Sequence, residues 1–182
     1  MKFKYISILK NIIPIFFFFI LSTNISSQEK SIFNIARKGS LEQLKAVMKN
    51  DPEIVNKVSK EGYSPLTLAC YYSNNEVAKH LINYVDDIDS KSGYGTPLMA
   101  ATVKKNVEII KLLLENGANP NITDQNGSTA LHFSVIFNYT DIVKLLVNSN
   151  AKFDLKDNRG KTALDYAQVT QNNTIIQILN PN

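Results

Sequence analysis

Apolar residues return along this chain in blocks of similar length, and each block opens on the same short pattern. A Ser or Thr precedes a Pro or Ala, which precedes one of four leucines: Leu66, Leu98, Leu131 and Leu164. These leucines are 32, 33 and 33 residues apart. In the best-defined block, one helix is predicted to open at 96–98 and a second to bury the apolar residues of 107–114. The pattern therefore predicts a series of helix pairs.

The residue types at the ends of the predicted helices fit the geometry of helix termini. Thr96 can cap the first helix of its block, and Pro97 then occupies the first turn, where a missing N–H costs nothing. Gly117 can adopt the left-handed conformation that ends the second helix. Later blocks replace the Pro with Ala130 and Ala163, a mild change because alanine is a good helix former.

A period near 33 residues that opens on Thr-Pro-Leu resembles the ankyrin repeat. The resemblance implies an all-α repeat solenoid of helix-turn-helix units with β-hairpin or turn tips, stabilised by stacking of neighbouring units. Five units are expected near residues 30–59, 60–91, 92–124, 125–157 and 158–180, the first and last acting as polar caps. Together they would form one domain over residues 28–182. Tyr94 stands where the family has Gly, so the third tip is expected to be reshaped.

Residues 1–27 differ from the rest of the chain. Three lysines precede a ten-residue apolar run at 12–21, and small residues follow, an order typical of a secretory signal peptide. The run is well short of the roughly 20 residues that span a membrane. We expect cleavage near Ser27 and a periplasmic or extracellular mature protein. The alternative is an uncleaved anchor that tethers the repeats to the outside of a membrane.

The charge balance argues against a nucleic-acid partner, and the cysteine content excludes an internal disulfide. Removing the three leader lysines from the 20 basic residues leaves 17, against 16 acidic residues. Such a near-neutral domain lacks the broad cationic field that nucleic acids require, so no nucleic-acid partner is expected. The single Cys70 cannot form an internal disulfide, and we expect it to be buried.

No catalytic, metal or cofactor site is predicted. The chain has two histidines, His80 and His132, and their spacing connects neither to a nucleophile nor to a metal-ligand set. The family resemblance implies that His132 makes a structural hydrogen bond between repeats. Asp86, Asp87 and Asp89 do not have the spacing of a calcium-binding EF-hand loop and are interpreted as a solvated acidic turn. We therefore expect no enzymatic activity and no small-molecule substrate.

The resemblance implies partner contacts at the hairpin tips and on the concave helix face, at the end of each first helix. The predicted partner-binding residues are Lys60, Glu61, Tyr63, Tyr71, Tyr72, Val103, Lys104, Gln125, Asn126, Ile136, Phe137, Asn158 and Arg159. Several helix positions are aromatic or aliphatic where an unoccupied surface would carry charged or amide side chains. Such residues dominate protein-interface hot spots. The alternative is that the short helices turn these rings into the core between repeats.

The expected function is therefore that of an exported, non-enzymatic protein that binds an unidentified partner protein. Within this class, the chain could be an inhibitor or immunity-type factor that masks a toxin or enzyme, or an accessory subunit of a co-exported enzyme. An uncleaved leader would make it a membrane-tethered scaffold. The same apolar residues could also pair two copies of the chain as a homodimer.

Overall fold

The computed structural model describes residues 32–92 and 95–180, which form a solenoid of helix pairs as the sequence predicted. The predicted leader, residues 1–27, lies outside the described residues. The helices are α1 (32–38), α2 (Leu41–Asn50), α3 (Pro65–Tyr71), α4 (Asn75–Ile82), α5 (Pro97–Val103), α6 (Val107–Glu115), α7 (Ala130–Ile136), α8 (Thr140–Asn148), α9 (Ala163–Thr170) and α10 (Asn173–Leu179). A short 3-10 helix, Pro52–Asn56, follows α2.

The helices pack in two layers. The first helices α3, α5, α7 and α9 contact one another in chain order, and each also packs on the second helix of its own unit. In the other layer α4 contacts α2 and α6, and α10 contacts α8. The buried apolar residues of all units form one continuous cluster, so the array is stabilised by stacking of neighbouring units.

The helix ends follow the chemistry expected from the sequence. The Thr96 hydroxyl accepts the backbone N–H of Met99 at 3.3 Å, and Pro97 lies in the first turn of α5. Gly117 has a φ of +89° just after α6, as the left-handed ending requires. These local predictions are confirmed because capping depends on neighbouring residues and not on the rest of the fold.

The leucines of the repeated pattern form the centre of the core, with one exception. Leu66, Leu98 and Leu131 are almost completely buried between units, whereas Leu164 in the last unit is partly exposed. Cys70 is also fully buried, as predicted, and burial raises the pKa of its thiol. A neutral, buried thiol is unreactive.

The third hairpin tip closes differently from the others at its described ends, Ser92 and Gly95; Tyr94 itself lies outside the described residues. In the second, fourth and fifth units a backbone N–H bonds a carbonyl four residues ahead, for example from Asp124 to Ser128 at 2.9 Å. In the third unit Ser92 and Gly95 exchange two 3.0 Å hydrogen bonds, so this tip is one residue shorter. Gly95 has a φ of +108°, and a Cβ there would lie 2.3 Å from the Met99 sulfur.

Four non-glycine residues with positive φ end the first helices of their units. Ser73, Lys105, Asn138 and Gln171 have φ values of 56°, 54°, 60° and 53°. We expect Ser73→Gly to raise the free energy of unfolding by about 0.5 to 1 kcal/mol, because glycine adopts this conformation without a Cβ clash. Urea denaturation measures the change. The matched control is Ser149→Gly, where φ is −100° and a small loss of stability is expected instead; stabilisation by both variants would contradict the explanation.

Candidate functional site

Two adjacent tyrosines at the end of α3 border an apolar cleft between first helices. Tyr71 and Tyr72 are 46% and 52% exposed, and their rings meet edge-to-face with centroids 5.4 Å apart. They follow six buried residues of α3, and the left-handed Ser73 then ends the helix, so both rings lie at its solvent end. The cleft has a volume of about 290 Å³ and is lined by Arg37, Tyr63, Thr67, Leu68, Tyr71, Tyr72, Met99, Ala100 and Val103.

The cleft is apolar inside and large enough for one or two side chains of a partner. Leu68, Met99 and Ala100 are buried residues of the core, and they form its floor. Of the predicted partner-binding residues, Tyr63, Tyr71, Tyr72 and Val103 line this cleft together; Tyr63 and Val103 are partly exposed.

A row of aromatic rings and lysines continues from the cleft toward α7. The Lys104 ammonium lies 4.7 Å from the centroid of the Tyr71 ring, and the Lys105 ammonium lies 5.0 Å from that of Tyr139. Tyr139 in turn stacks on Phe137 with centroids 5.7 Å apart. We call Tyr71, Tyr72, Lys104, Lys105, Phe137 and Tyr139 the aromatic row. Cation–π contacts hold lysine stems against rings and order both side chains.

The end of α7 is exposed and not turned into the core. Ile136 and Phe137 are 39% and 43% exposed, and Phe137 also stacks on Phe133 with centroids 6.5 Å apart. Half of each side chain therefore packs on the array while the other half faces water. Exposed apolar groups of this kind mark contact surfaces when they adjoin one another.

Sequence reasoning missed Tyr139 and Lys105, although a signal was present. At the equivalent positions of other units, Asn74 donates to the backbone carbonyls of Ile35, Ala36 and Gly39, and Asn172 donates to Asn138 and Thr140. These amides connect neighbouring units. Tyr139 caps α8 without a side-chain hydrogen bond to the helix and stacks on Phe137 instead. An aromatic residue in a position otherwise occupied by Asn was the available signal.

The hairpin-tip residues lie in two places. Lys60 and Glu61 are exposed on the second tip, and the exposed residues Gln125, Asn126, Asn158 and Arg159 belong to the fourth and fifth tips. The last two tips bind each other: the Asn158 N–H donates to the Asn126 carbonyl at 2.9 Å, and its side-chain amide donates to the Gln125 carbonyl at 2.9 Å. Part of the polar surface there is used within the array. Contact of any of these residues with a partner stays a prediction.

The comparison with known families agrees with this architecture. The family described as "Ankyrin repeats (3 copies)" matches residues 32–124 and 114–182, which together cover most of the chain. The chain belongs to the ankyrin-repeat family. Membership implies a protein–protein interaction module built from stacked ankyrin repeats.

Curated relatives share the repeats within much longer proteins. The chain is 32% identical over 119 residues to rat "Ankyrin repeat and SAM domain-containing protein 6", covering 64% of this chain and 13% of the relative. It is 32% identical over 104 residues to mouse "Ankyrin repeat and SOCS box protein 11", covering 57% and 32%. A match to human "Ankyrin repeat and KH domain-containing protein 1" is 44% identical over 68 residues, covering 37% and 3%. The chain thus spans under a third of each relative.

Both histidines of this ankyrin-repeat protein have structural surroundings. The Thr129 N–H donates to His132 Nδ1 at 3.2 Å, so the ring proton lies on Nε2, which donates to the Lys161 carbonyl of the next unit at 3.2 Å. The predicted hydrogen bond between repeats is confirmed. His80 lies on α4 and stacks on Tyr84 with centroids 4.7 Å apart. Burial, together with the charge of Lys45, lowers the His80 pKa.

The acidic cluster between the second and third ankyrin units is structural in part. Asp86 and Asp87 are exposed, but the prediction of a solvated turn is wrong for Asp89. Both oxygens of the Asp89 carboxylate accept the backbone N–H of Asn119, at 3.1 and 3.0 Å, and burial raises the pKa of this carboxyl. Within residues 32–92 and 95–180, no group of three or more His, Cys, Asp or Glu side chains is arranged to hold a metal.

Asp157 at the fifth tip is expected to make stability depend on pH. Its buried carboxylate accepts hydrogen bonds from the Tyr166 hydroxyl at 2.5 Å and from the N–H groups of Arg159 and Lys161, and the Tyr166 bond is the largest cause of its lowered pKa. A carboxyl whose pKa is lower in the folded state stabilises the fold above its unfolded pKa. This contribution is lost as the pH falls through the folded-state pKa.

We therefore expect Tyr166→Phe to lower the free energy of unfolding at neutral pH, with a smaller difference from wild type in acid. Urea denaturation at about pH 7 and about pH 3 measures both values, since ordinary aspartates titrate near pH 4. The control is Tyr84→Phe, a tyrosine that stacks on His80 and is 55% exposed. An equal loss for Tyr166→Phe at both pH values would contradict the assigned role of Asp157.

Proposed function

We propose that this ankyrin-repeat protein is a non-enzymatic module that binds a partner protein in the apolar cleft and along the aromatic row. The observation that carries the proposal is the pair Tyr71 and Tyr72, half-exposed beside a cleft of about 290 Å³ whose floor is core residues. Rigid aromatic side chains gain buried area at small entropic cost when a partner covers them. Short helices fixed by caps and by stacking present them in a preformed arrangement, which reduces the ordering cost of binding.

We further propose that the protein is exported, with its binding surface in the periplasm or outside the cell. The support is the order of lysines, apolar run and small residues in residues 1–27. The expected result is that protein isolated from its native cells lacks about 27 N-terminal residues. Intact-mass spectrometry of a C-terminally tagged chain measures this. The full mass of 20.4 kDa plus the tag would contradict cleavage and favour the uncleaved anchor.

A site-specific cross-linking experiment tests the binding surface. The full chain is expressed in its native cells with the photoreactive amino acid benzoylphenylalanine in place of Tyr72, and the cells are irradiated. Because Tyr72 borders the cleft and is 52% exposed, we expect a covalent adduct with a partner protein. Mass spectrometry of the adduct then identifies the partner.

The matched control places the same photoreactive residue at Tyr84. Tyr84 is 55% exposed but lies after the second helix α4, where it stacks on His80. An adduct from position 72 and none from position 84 would support the proposal. An adduct between two copies of the chain would mean that the surface forms a homodimer instead. The same heterologous adduct from both positions, or none from either, would contradict a specific site at the cleft.

A further inference from the structure

Charges are divided unequally between the two helix layers. Within the described residues, the first helices and the two residues after each of them carry four cations, Arg37, Lys38, Lys104 and Lys105, and one acid, Asp165. The second helices α2, α4, α6, α8 and α10 carry five lysines and five acids. A nearly neutral domain therefore presents a locally cationic first-helix layer.

The acid of the first-helix layer is already satisfied within its own unit. The Asp165 carboxylate accepts the Thr162 N–H at 2.8 Å and the Thr162 hydroxyl at 2.9 Å. On the second tip, Glu61 is exposed, and its pKa is lowered chiefly by the Ser59 hydroxyl and to a smaller extent by the charge of Arg37. With four cations against Asp165, the layer keeps a net positive charge.

The cations themselves have no ion-pair partner among residues 32–92 and 95–180. No carboxylate oxygen in this part lies within 4.0 Å of the charged groups of Arg37, Lys38, Lys104 or Lys105. In the second-helix layer, Lys79 bridges Glu76 at 3.3 Å and Glu108 at 2.8 Å, whereas Lys45, Lys49, Lys111 and Lys144 have no such partner among the described residues. Five acids on the same helices offset these five lysines, so the excess of positive charge lies in the layer that carries the cleft.

The positions of these cations relative to the cleft indicate what would bind. Arg37 lines the cleft from α1, and Lys104 lies over the Tyr71 ring that borders it. An apolar side chain seated on Leu68 and Met99 would therefore have a positive charge on either side. Acidic groups next to that side chain would complete both ion pairs, and water exclusion at the cleft would strengthen them.

We infer that the partner presents an acidic segment whose apolar side chain enters the cleft and whose flanking carboxylates pair with Arg37 and Lys104. The inference rests on the proposed function and defines its partner chemistry. A second copy of the chain fits the charges poorly, because a symmetric contact would bring Arg37 and Lys104 of both copies together. The aromatic row supplies further contact area, with Lys105 available to a longer acidic segment.

Panning a phage-displayed random peptide library tests this inference. The immobilised target is the protein purified after expression of the full chain. Enriched peptides are expected to carry an aliphatic or aromatic residue flanked by Asp or Glu. The most enriched peptide is then synthesised, and its affinity is measured by fluorescence anisotropy at low and high salt. Binding is expected to weaken by about tenfold at high salt, since ion pairs at an exposed rim are screened.

Paired charge variants separate the inference from a general electrostatic effect. The double variant Arg37→Gln, Lys104→Gln is expected to bind the peptide about tenfold more weakly, the sum of two rim ion pairs. The control Lys111→Gln, Lys144→Gln removes the same charge from exposed positions of α6 and α8 and should bind like wild type. Panning the reversal variant Arg37→Glu, Lys104→Glu should enrich basic peptides in place of acidic ones.

The possible results of panning and cross-linking test both the acidic character of the partner and the proposed binding surface. Enriched apolar peptides without an acidic excess, or equal losses in both Gln variants, would overturn the inference and leave the proposed binding surface standing. No enrichment on the wild type, together with no adduct from position 72, would overturn both. The inference would be established by two results together. Acidic peptides enriched on the wild type bind the Arg37→Gln, Lys104→Gln variant more weakly, and the Arg37→Glu, Lys104→Glu variant enriches basic peptides instead.

Discussion

Replacing Leu113 with alanine is expected to lower the free energy of unfolding by about 3 kcal/mol. Leu113 is fully buried in α6, in the middle unit of the array, with units stacked on both sides. The substitution removes apolar contact and leaves a cavity that rigid neighbouring helices cannot fill. Urea denaturation followed by circular dichroism measures the change.

The control for this prediction is the preceding residue on the same helix. Leu112 is partly exposed, so Leu112→Ala should cost about 1 kcal/mol, since less apolar area is lost and water can occupy the space. Equal effects of the two variants would mean that α6 does not present Leu113 to the neighbouring units. A small effect of Leu113→Ala alone would contradict the stacked core on which the fold depends.

The fold could be predicted from the sequence because the residue patterns that determine it are local and recur from repeat to repeat. The period of the leucines, the Thr96 cap and the left-handed Gly117 each depend on a few neighbouring residues, and the structure confirms all three. The burial of Cys70 followed from its chemistry. The hydrogen bond of His132 to the next repeat was also predicted correctly, although from the family resemblance and not from residue spacing.

Only part of the candidate site could be predicted from the sequence, because several of its contacts join residues of different repeat units. Tyr71 and Phe137 were selected by their positions on the helices, but nothing local indicates that Tyr139 would stack on Phe137 with Lys105 beside it. Similarly, the bond from Asn119 to Asp89 crosses 30 residues of chain. Contacts of this kind depend on how successive units are stacked, which a single repeat does not specify.

The variant Tyr71→Ala, Tyr72→Ala, Phe137→Ala is expected to bind the partner protein at least about 100-fold more weakly than wild type. Truncating a central aromatic side chain of an interface commonly costs about 2 kcal/mol, and each 1.4 kcal/mol is a factor of ten in affinity. The three rings lie at the cleft and along the aromatic row, so their removal deletes the centre of the proposed contact. Isothermal titration calorimetry with the partner protein that cross-linking identifies, purified separately, measures the loss of affinity.

This variant is expected to remain folded. All three side chains are 43% to 52% exposed, so each truncation should cost about 1 kcal/mol, as for Leu112→Ala, and the melting temperature should fall by about 6 to 12 °C. A matched variant, Tyr84→Ala, removes an equally exposed tyrosine from the second-helix layer and should bind like wild type. A larger fall in melting temperature would mean that the three rings are part of the core.

Affinity capture with the C-terminally tagged full chain from its native cells tests the proposed binding surface most directly. Wild type, the triple alanine variant and the Tyr84→Ala control are compared, with captured proteins identified by mass spectrometry. We expect one captured protein that wild type and control retain and the folded triple variant loses. Retention of the same protein by all three would contradict the claim that the cleft and the aromatic row form the binding surface.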